Sequence, residues 1–147
     1  MTAAQYEQFS NYAVASATGI LALAFVAYVA QWGFARKIAP ERELVGAGSA
    51  ESSAPDEDTA SERSDVAGGI GFSLTGLAWL VLLAGVVARG LSAERVPWGN
   101  MYEFGCAATL MALTAYIVLV KMWAIDWVGP IITGFGTVVL GLSALVF

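Results

Sequence analysis

Four long stretches of this chain carry no charge, and they set its architecture. Twenty-eight uncharged residues separate Glu7 from Arg36, 23 separate Asp65 from Arg89, 17 separate Glu103 from Lys121, and 21 follow Asp126. A helix rises about 1.5 Å per residue, so a bilayer core about 30 Å thick takes about 20 apolar residues. Each stretch meets or approaches that length. Lipid offers no partner for backbone N–H and C=O groups, which leaves helices or a closed barrel. Barrel strands alternate polar and apolar positions. The run from Gly19 to Ala27 does not. The pattern predicts an all-α integral membrane protein with four transmembrane helices, at about 12–34, 69–88, 101–123 and 130–147. Residues 1–35 then form an N-terminal segment and the first helix, 36–68 a loop, and 69–147 the other three helices.

The loop changes the picture of charge. Ten of the charged residues lie between Glu41 and Asp65, among Ser, Ala and Gly. Such a segment buries too little apolar surface to offset its ordering entropy. A long disordered acidic loop is expected after Pro40, serving as a spacer or as a docking segment. It also accounts for the net charge of −5. Arg36, Lys37, Arg42, Arg63 and Lys121 fall on one side of the membrane, Arg89 and Arg95 on the other. Basic residues favour the cytoplasmic side. The N-terminus is therefore expected outside and loop 36–68 in the cytoplasm of a multi-pass cell-membrane protein. Trp98, Trp123 and Trp127 fall at predicted helix ends, where interfacial aromatics collect.

The composition, 58% hydrophobic and 13% charged, agrees with a lipid-embedded chain. Histidine is absent and cysteine occurs once, at Cys106. The chain therefore lacks the commonest metal ligand and general base, and it cannot form an internal disulfide. No metal site, no nucleophile–base pair and no nucleic-acid partner is expected. No Lys or Arg precedes Arg36, so the N-terminus reads as a retained helix and not as a secretory signal. Helix 4 presents Gly129, Thr133, Thr137 and Gly141 at intervals of four, a row of small residues suited to close helix approach.

The richest chemistry sits just before helix 3, in Arg95-Val-Pro-Trp-Gly-Asn-Met-Tyr-Glu-Phe104. Ionisable groups at the membrane are costly and are functional candidates. Glu103 also has a structural explanation. Asn100 suits an N-cap, and Glu103 three residues later completes the spacing of a capping box. A carboxylate there meets the positive end of the helix dipole. Met101 and Cys106 read as packing residues.

Residues 89–104, with Pro97, Asn100, Tyr102 and Glu103 directly before a transmembrane helix, resemble the early external segment of the CcsA/CcsB/ResC family. The helix order and the long loop after helix 1 resemble its actinobacterial CcsB type. The resemblance covers essentially the whole chain but only the first part of the family's length. It implies a role in system II cytochrome c maturation. There a complex with a ResB-type membrane partner delivers haem to apocytochrome c at the outer face, where cysteine thiols add to the haem vinyl groups. Haem is the implied cofactor. The family's tryptophan-rich WWD motif and haem-ligating histidines are missing here. The segment from Trp123 to Trp127 does not match that motif, so no haem ligand carries over. The resemblance leaves Pro97, Asn100, Tyr102 and Glu103 as residues shaping the outer mouth.

Two other classes fit the same composition. A small four-helix transporter would use Glu103 as a proton or cation site, and it would want that carboxylate deep in the bundle. A structural anchor subunit would use the small-residue face of helix 4. Catalysis by this chain alone is not expected. The 18 residues from Pro130 to Phe147 make about 27 Å of helix and end without a polar exit. They read as the front part of a longer or split protein.

Overall fold

The computed structural model describes residues 2–45, 54–93, 99–123 and 125–146. All regular structure among them is helical: α1 (Ala3–Val45), α2 (Ala54–Ala93), α3 (Met101–Trp123), a 3₁₀ turn (Asp126–Val128) and α4 (Gly129–Val146). Three stretches, Ala3–Arg36, Ser61–Ala93 and Met101–Trp123, are long and apolar enough to cross a membrane. They point to a multi-pass membrane protein. α4 is apolar too but shorter.

α3 and α4 match the expected spans, 101–123 and 130–147, to within a residue. α1 and α2 run further at both ends, and capping chemistry explains much of the difference. Thr2 accepts the Gln5 and Tyr6 N–H groups through its carbonyl, at 3.0 and 3.2 Å, and Gln5 Oε1 accepts the Thr2 N–H at 2.9 Å. This Thr-x-x-Gln box starts α1 well before Tyr12. α2 opens with Ala-Pro-Asp-Glu-Asp, which places proline and acidic residues where a helix start favours them. Expected helix boundaries at Phe34, Gly69 and Ala88 therefore give way to longer helices. The acidic segment, expected as disordered loop over 36–68, is helical over 36–45 and 54–68. Its alanine, glutamate, lysine and arginine residues are good helix formers, and Pro40 is carried inside α1. Residues 46–53, like Trp98, lie outside the described residues.

Each helix buries one stripe with alternating steps of three and four. On α1 it is Ser10, Ala13, Val14, Ala17, Leu21, Ala24 and Tyr28, and on α2 Gly71, Thr75, Ala78, Leu82 and Gly85. This is the spacing of left-handed helix bundles. The chain forms two hairpins: α1 packs along most of α2, and α3 pairs with α4. The hairpins meet where α4 touches α1 and α3 touches α2.

Against lipid tails, burying leucine on leucine gains little, so close approach and polar contacts must hold such a bundle. The α1–α2 stripe is mostly Ala, Gly, Ser and Thr. A Cβ on Gly85 would lie only 3.1 Å from the Ala13 Cβ, so the two backbones nearly touch there. Two polar contacts join the hairpins below the charged end. Trp79 Nε1 donates to Thr114 Oγ1 at 2.8 Å, joining α2 to α3. Tyr116 donates its hydroxyl to the Tyr28 hydroxyl at 2.9 Å, with the rings edge-on at 6.4 Å.

The small-residue row of α4 is only half used. Gly129 and Thr133 are buried, but Gly141 faces open space. Steps of four drift about 40° per turn around a helix of 3.6 residues per turn. The buried stripe instead runs Gly129, Pro130, Thr133, Gly136 and Leu140. A Cβ on Gly129 would sit 2.7 Å from the Tyr116 hydroxyl and 2.8 Å from the Tyr28 ring. Gly129→Ala should therefore destabilise the protein by about 1–3 kcal/mol through overpacking. Gly141→Ala should leave stability unchanged or slightly raised. Thermal unfolding of both variants in detergent measures the contrast.

Candidate functional site

Three of the buried stripes end on polar or charged side chains at the same end of the bundle. On α1, a step of seven back from Val14 reaches Glu7. On α2, a step of seven on from Leu82 reaches Arg89. The α3 stripe begins with Tyr102 and Glu103. The heptad spacing keeps all of them on the seam side of their helices.

Arg89 is the centre of the cluster. Its Nε lies 3.6 Å from Glu103 Oε1, and its Nη1 lies 3.7 Å from Glu7 Oε1. Nη1 also donates to Asn11 Oδ1 at 3.2 Å. The guanidinium carbon stands 5.1 Å from the centre of the Tyr102 ring, a cation–π contact. One turn on, Ser92 Oγ donates to the Ala3 carbonyl at 3.1 Å and ties the end of α2 to the start of α1. One guanidinium thus joins three helices.

The two ion pairs differ in weight. The Glu7 side chain is 57% exposed, that of Glu103 only 5%, and that of Arg89 20%. An exposed pair contributes about 0–1 kcal/mol. A buried pair contributes little net energy when intact, but removing one partner costs about 3–5 kcal/mol. Glu103 is therefore committed to a cation in a way that Glu7 is not.

Of the capping box expected at α3, the carboxylate half is found, displaced by one residue. Asn100 starts the helix, its carbonyl accepting the Phe104 N–H at 2.9 Å. Glu103 Oε2 reaches back to the Gly99 N–H at 3.1 Å, one residue beyond the Asn100 N–H of a standard box. Its other oxygen faces Arg89. Glu103 therefore both caps the helix and anchors the bundle, and it lies inside rather than at the rim. Tyr102 is buried beside it, and Asn100 lines the cleft described below. Pro97 lies outside the described residues.

Arg89, Glu7 and Asn11 did not stand out in the sequence. Charge was the marker for helix ends, so Arg89 read as the first residue of a loop. Extending the buried stripe by one heptad would have found both Arg89 and Glu7.

A cleft of about 350 Å³ opens at this end, lined by Glu7, Asn11, Ala15, Arg89, Asn100, Tyr102 and Ala144, with all four helices contributing. Its donors do not suit haem iron. The chain has no histidine. Met101 is 75% exposed on the outside of α3, and Cys106 is 3% exposed behind Tyr102. The Tyr102 ring is covered by Arg89. Among the described residues no group of three or more His, Cys, Asp or Glu converges on a metal position.

Arg89→Ala should lower stability by about 3–5 kcal/mol, because the buried Glu103 carboxylate loses its contact with the guanidinium. Glu7→Gln should cost at most about 1 kcal/mol. Adding Glu103→Gln to Arg89→Ala should recover part of the loss, because the two residues interact and a neutral side chain no longer needs the guanidinium. Unfolding of the single and double variants in one detergent measures this coupling. Comparisons of the chain with protein-family models, with curated proteins and with solved structures find no match.

Proposed function

We propose that this chain is a membrane component of c-type cytochrome biogenesis that assists haem delivery to apocytochrome c at the outer face of the bacterial cell membrane. In this reading all four helices cross the bilayer. The N-terminus and the Arg89 end face outward, and the acidic segment faces the cytoplasm. The observation that carries the reading is the convergence of Asn100, Tyr102 and Glu103 with Arg89 at one bundle end. These residues lie in the segment that resembles the family, and two of them are pinned there by the guanidinium.

The chain supplies shape and not ligation. Among the described residues no side chain is placed to hold haem iron, and in this reading the chain holds the mouth of α3 in a fixed position. A ResB-type partner and apocytochrome c would meet it on that side. A rigid mouth suits this role, since a 23-residue α3 anchored at its first turn positions everything attached to that turn.

A second reading has one observation in its favour. Glu103 is buried among helices and faces a cleft-lining arginine, as a proton or cation site in a small transporter would be.

Deletion of the gene should abolish covalently haem-stained c-type cytochromes, and the wild-type chain should restore them. Glu103→Ala should fail to restore them, whereas Met101→Ala, on the exposed side of α3, should succeed. Normal haem-stained cytochromes in the deletion strain would sink the proposal. Proton flux in liposomes that vanishes in Glu103→Gln would favour the transporter instead. Reporter fusions at residues 48 and 124 should both show cytoplasmic signals if the orientation holds.

A further inference from the structure

The cleft of about 350 Å³ is graded along the helix axes. Its charged lining, Glu7 and Arg89, bounds the uncharged runs of α1 and α2, and so marks the level where those helices leave the hydrocarbon. Its apolar lining lies deeper. Ala15 is eight residues beyond Glu7 on α1, about 12 Å along the helix. Gly129 packs on Tyr28 and Gly136 on Leu21, and continuing that antiparallel register sets Ala144 near the level of Ala13. Ala15 and Ala144 are both exposed, and at that depth the surroundings of an exposed residue are lipid tails. The cleft therefore runs from the bilayer surface into the hydrocarbon, polar at the first and apolar in the second.

Its polar groups keep capacity for a ligand. Glu7 is 57% exposed, and its contact within the bundle is the 3.7 Å approach of Arg89. Asn11 accepts from Arg89 through Oδ1, which leaves its Nδ2 hydrogens to donate. Among the described residues the Asn100 side-chain amide has no partner.

We infer that the cleft binds a phospholipid whose headgroup carries a primary ammonium, phosphatidylethanolamine being the simplest. An acyl chain lies over Ala15 and Ala144, where small side chains leave room. The ammonium donates to the Glu7 carboxylate, and the phosphate and ester oxygens accept from the Asn11 and Asn100 amides. Arg89 keeps its present contacts, so nothing in the bundle has to move. A trimethylammonium headgroup brings the same charge but no N–H donor, and an anionic headgroup meets Glu7 without a compensating cation. The volume falls in the range of small-molecule sites, about 300–1,000 Å³. This inference needs the chain to lie in a bilayer and does not depend on a role in cytochrome maturation.

Native mass spectrometry of the full chain in detergent reads the lipids it retains. Dioleoylphosphatidylethanolamine should be retained as a single bound lipid at about one fifth of the concentration that dioleoylphosphatidylcholine needs. Glu7→Gln should remove that difference. Ala15→Leu and Ala144→Leu, which narrow the apolar part of the cleft at exposed positions, should weaken both lipids. Ala108→Leu, exposed on α3 away from the cleft, should weaken neither. Unchanged thermal unfolding of these variants separates a filled cleft from a lost fold. Glycerophosphoethanolamine, the same headgroup without acyl chains, should not compete at equal concentration. Equal retention of the two lipids by the wild-type chain would overturn the ammonium recognition, and so would tighter retention of dioleoylphosphatidylglycerol. Retention untouched by both Ala15→Leu and Ala144→Leu would overturn the site. Competition by glycerophosphoethanolamine as strong as that of the whole lipid would overturn the lipid as occupant.

Discussion

Helices immersed in lipid gain almost nothing by exchanging a lipid neighbour for an apolar side chain. What remains is close approach, which improves dispersion contact, and polar contacts, which have no good alternative in the hydrocarbon. Both are visible in this bundle and they are divided between its parts. α1 and α2 rely on close approach, with Ala13 set against Gly85 so tightly that an added methyl would crowd it. α4 also meets α1 by close approach, with Gly136 against Leu21, while α3 joins α1 and α2 through polar groups at three depths: Arg89 with Glu103, Trp79 with Thr114, and Tyr28 with Tyr116.

This division has a consequence for motion. A seam held by close-packed backbone has no partial state, because separating it opens voids along its length. A seam held by a few long side chains can loosen locally at one of them. At the Arg89 end one guanidinium gathers several longer contacts, to Glu103, Glu7 and Asn11, whereas lower down single hydrogen bonds of 2.8 and 2.9 Å join the hairpins. The Tyr28 end closes the bundle on the opposite side. Gly129 reinforces that closure, since its lack of a side chain lets α4 begin directly against both tyrosine rings.

Glu103 illustrates how one residue satisfies two constraints. The first turn of α3 has N–H groups to satisfy, and the bundle has a guanidinium to neutralise. A carboxylate has two oxygens, and here one accepts the Gly99 N–H while the other faces Arg89. An amide at this position would keep the first contact and weaken the second. The helix start and the inter-helix seam are thereby tied together, so that a change at one is felt at the other.

The charge gaps determined the number of helices, and cap, proline and tryptophan signals then fixed the limits of α3 and α4. The gaps did so because a bilayer core excludes charge and demands internally satisfied backbone. They misjudged α1 and α2, since charge marks where a helix leaves lipid and not where it stops being helical. Thr2 and Gln5 extend α1 outward by local hydrogen bonding that needs no apolar residue. Glu103 was legible as a candidate because its cap spacing is local. Its partner was not, because Arg89 and Glu103 lie on different helices. Only the packing of hairpin on hairpin decided that this arginine points inward. The same packing selected Gly136 over Thr137 and Gly141 for the buried face of α4. Local sequence can mark a helix and its ends, but which side of it faces the seam depends on neighbours that only the folded chain brings into contact.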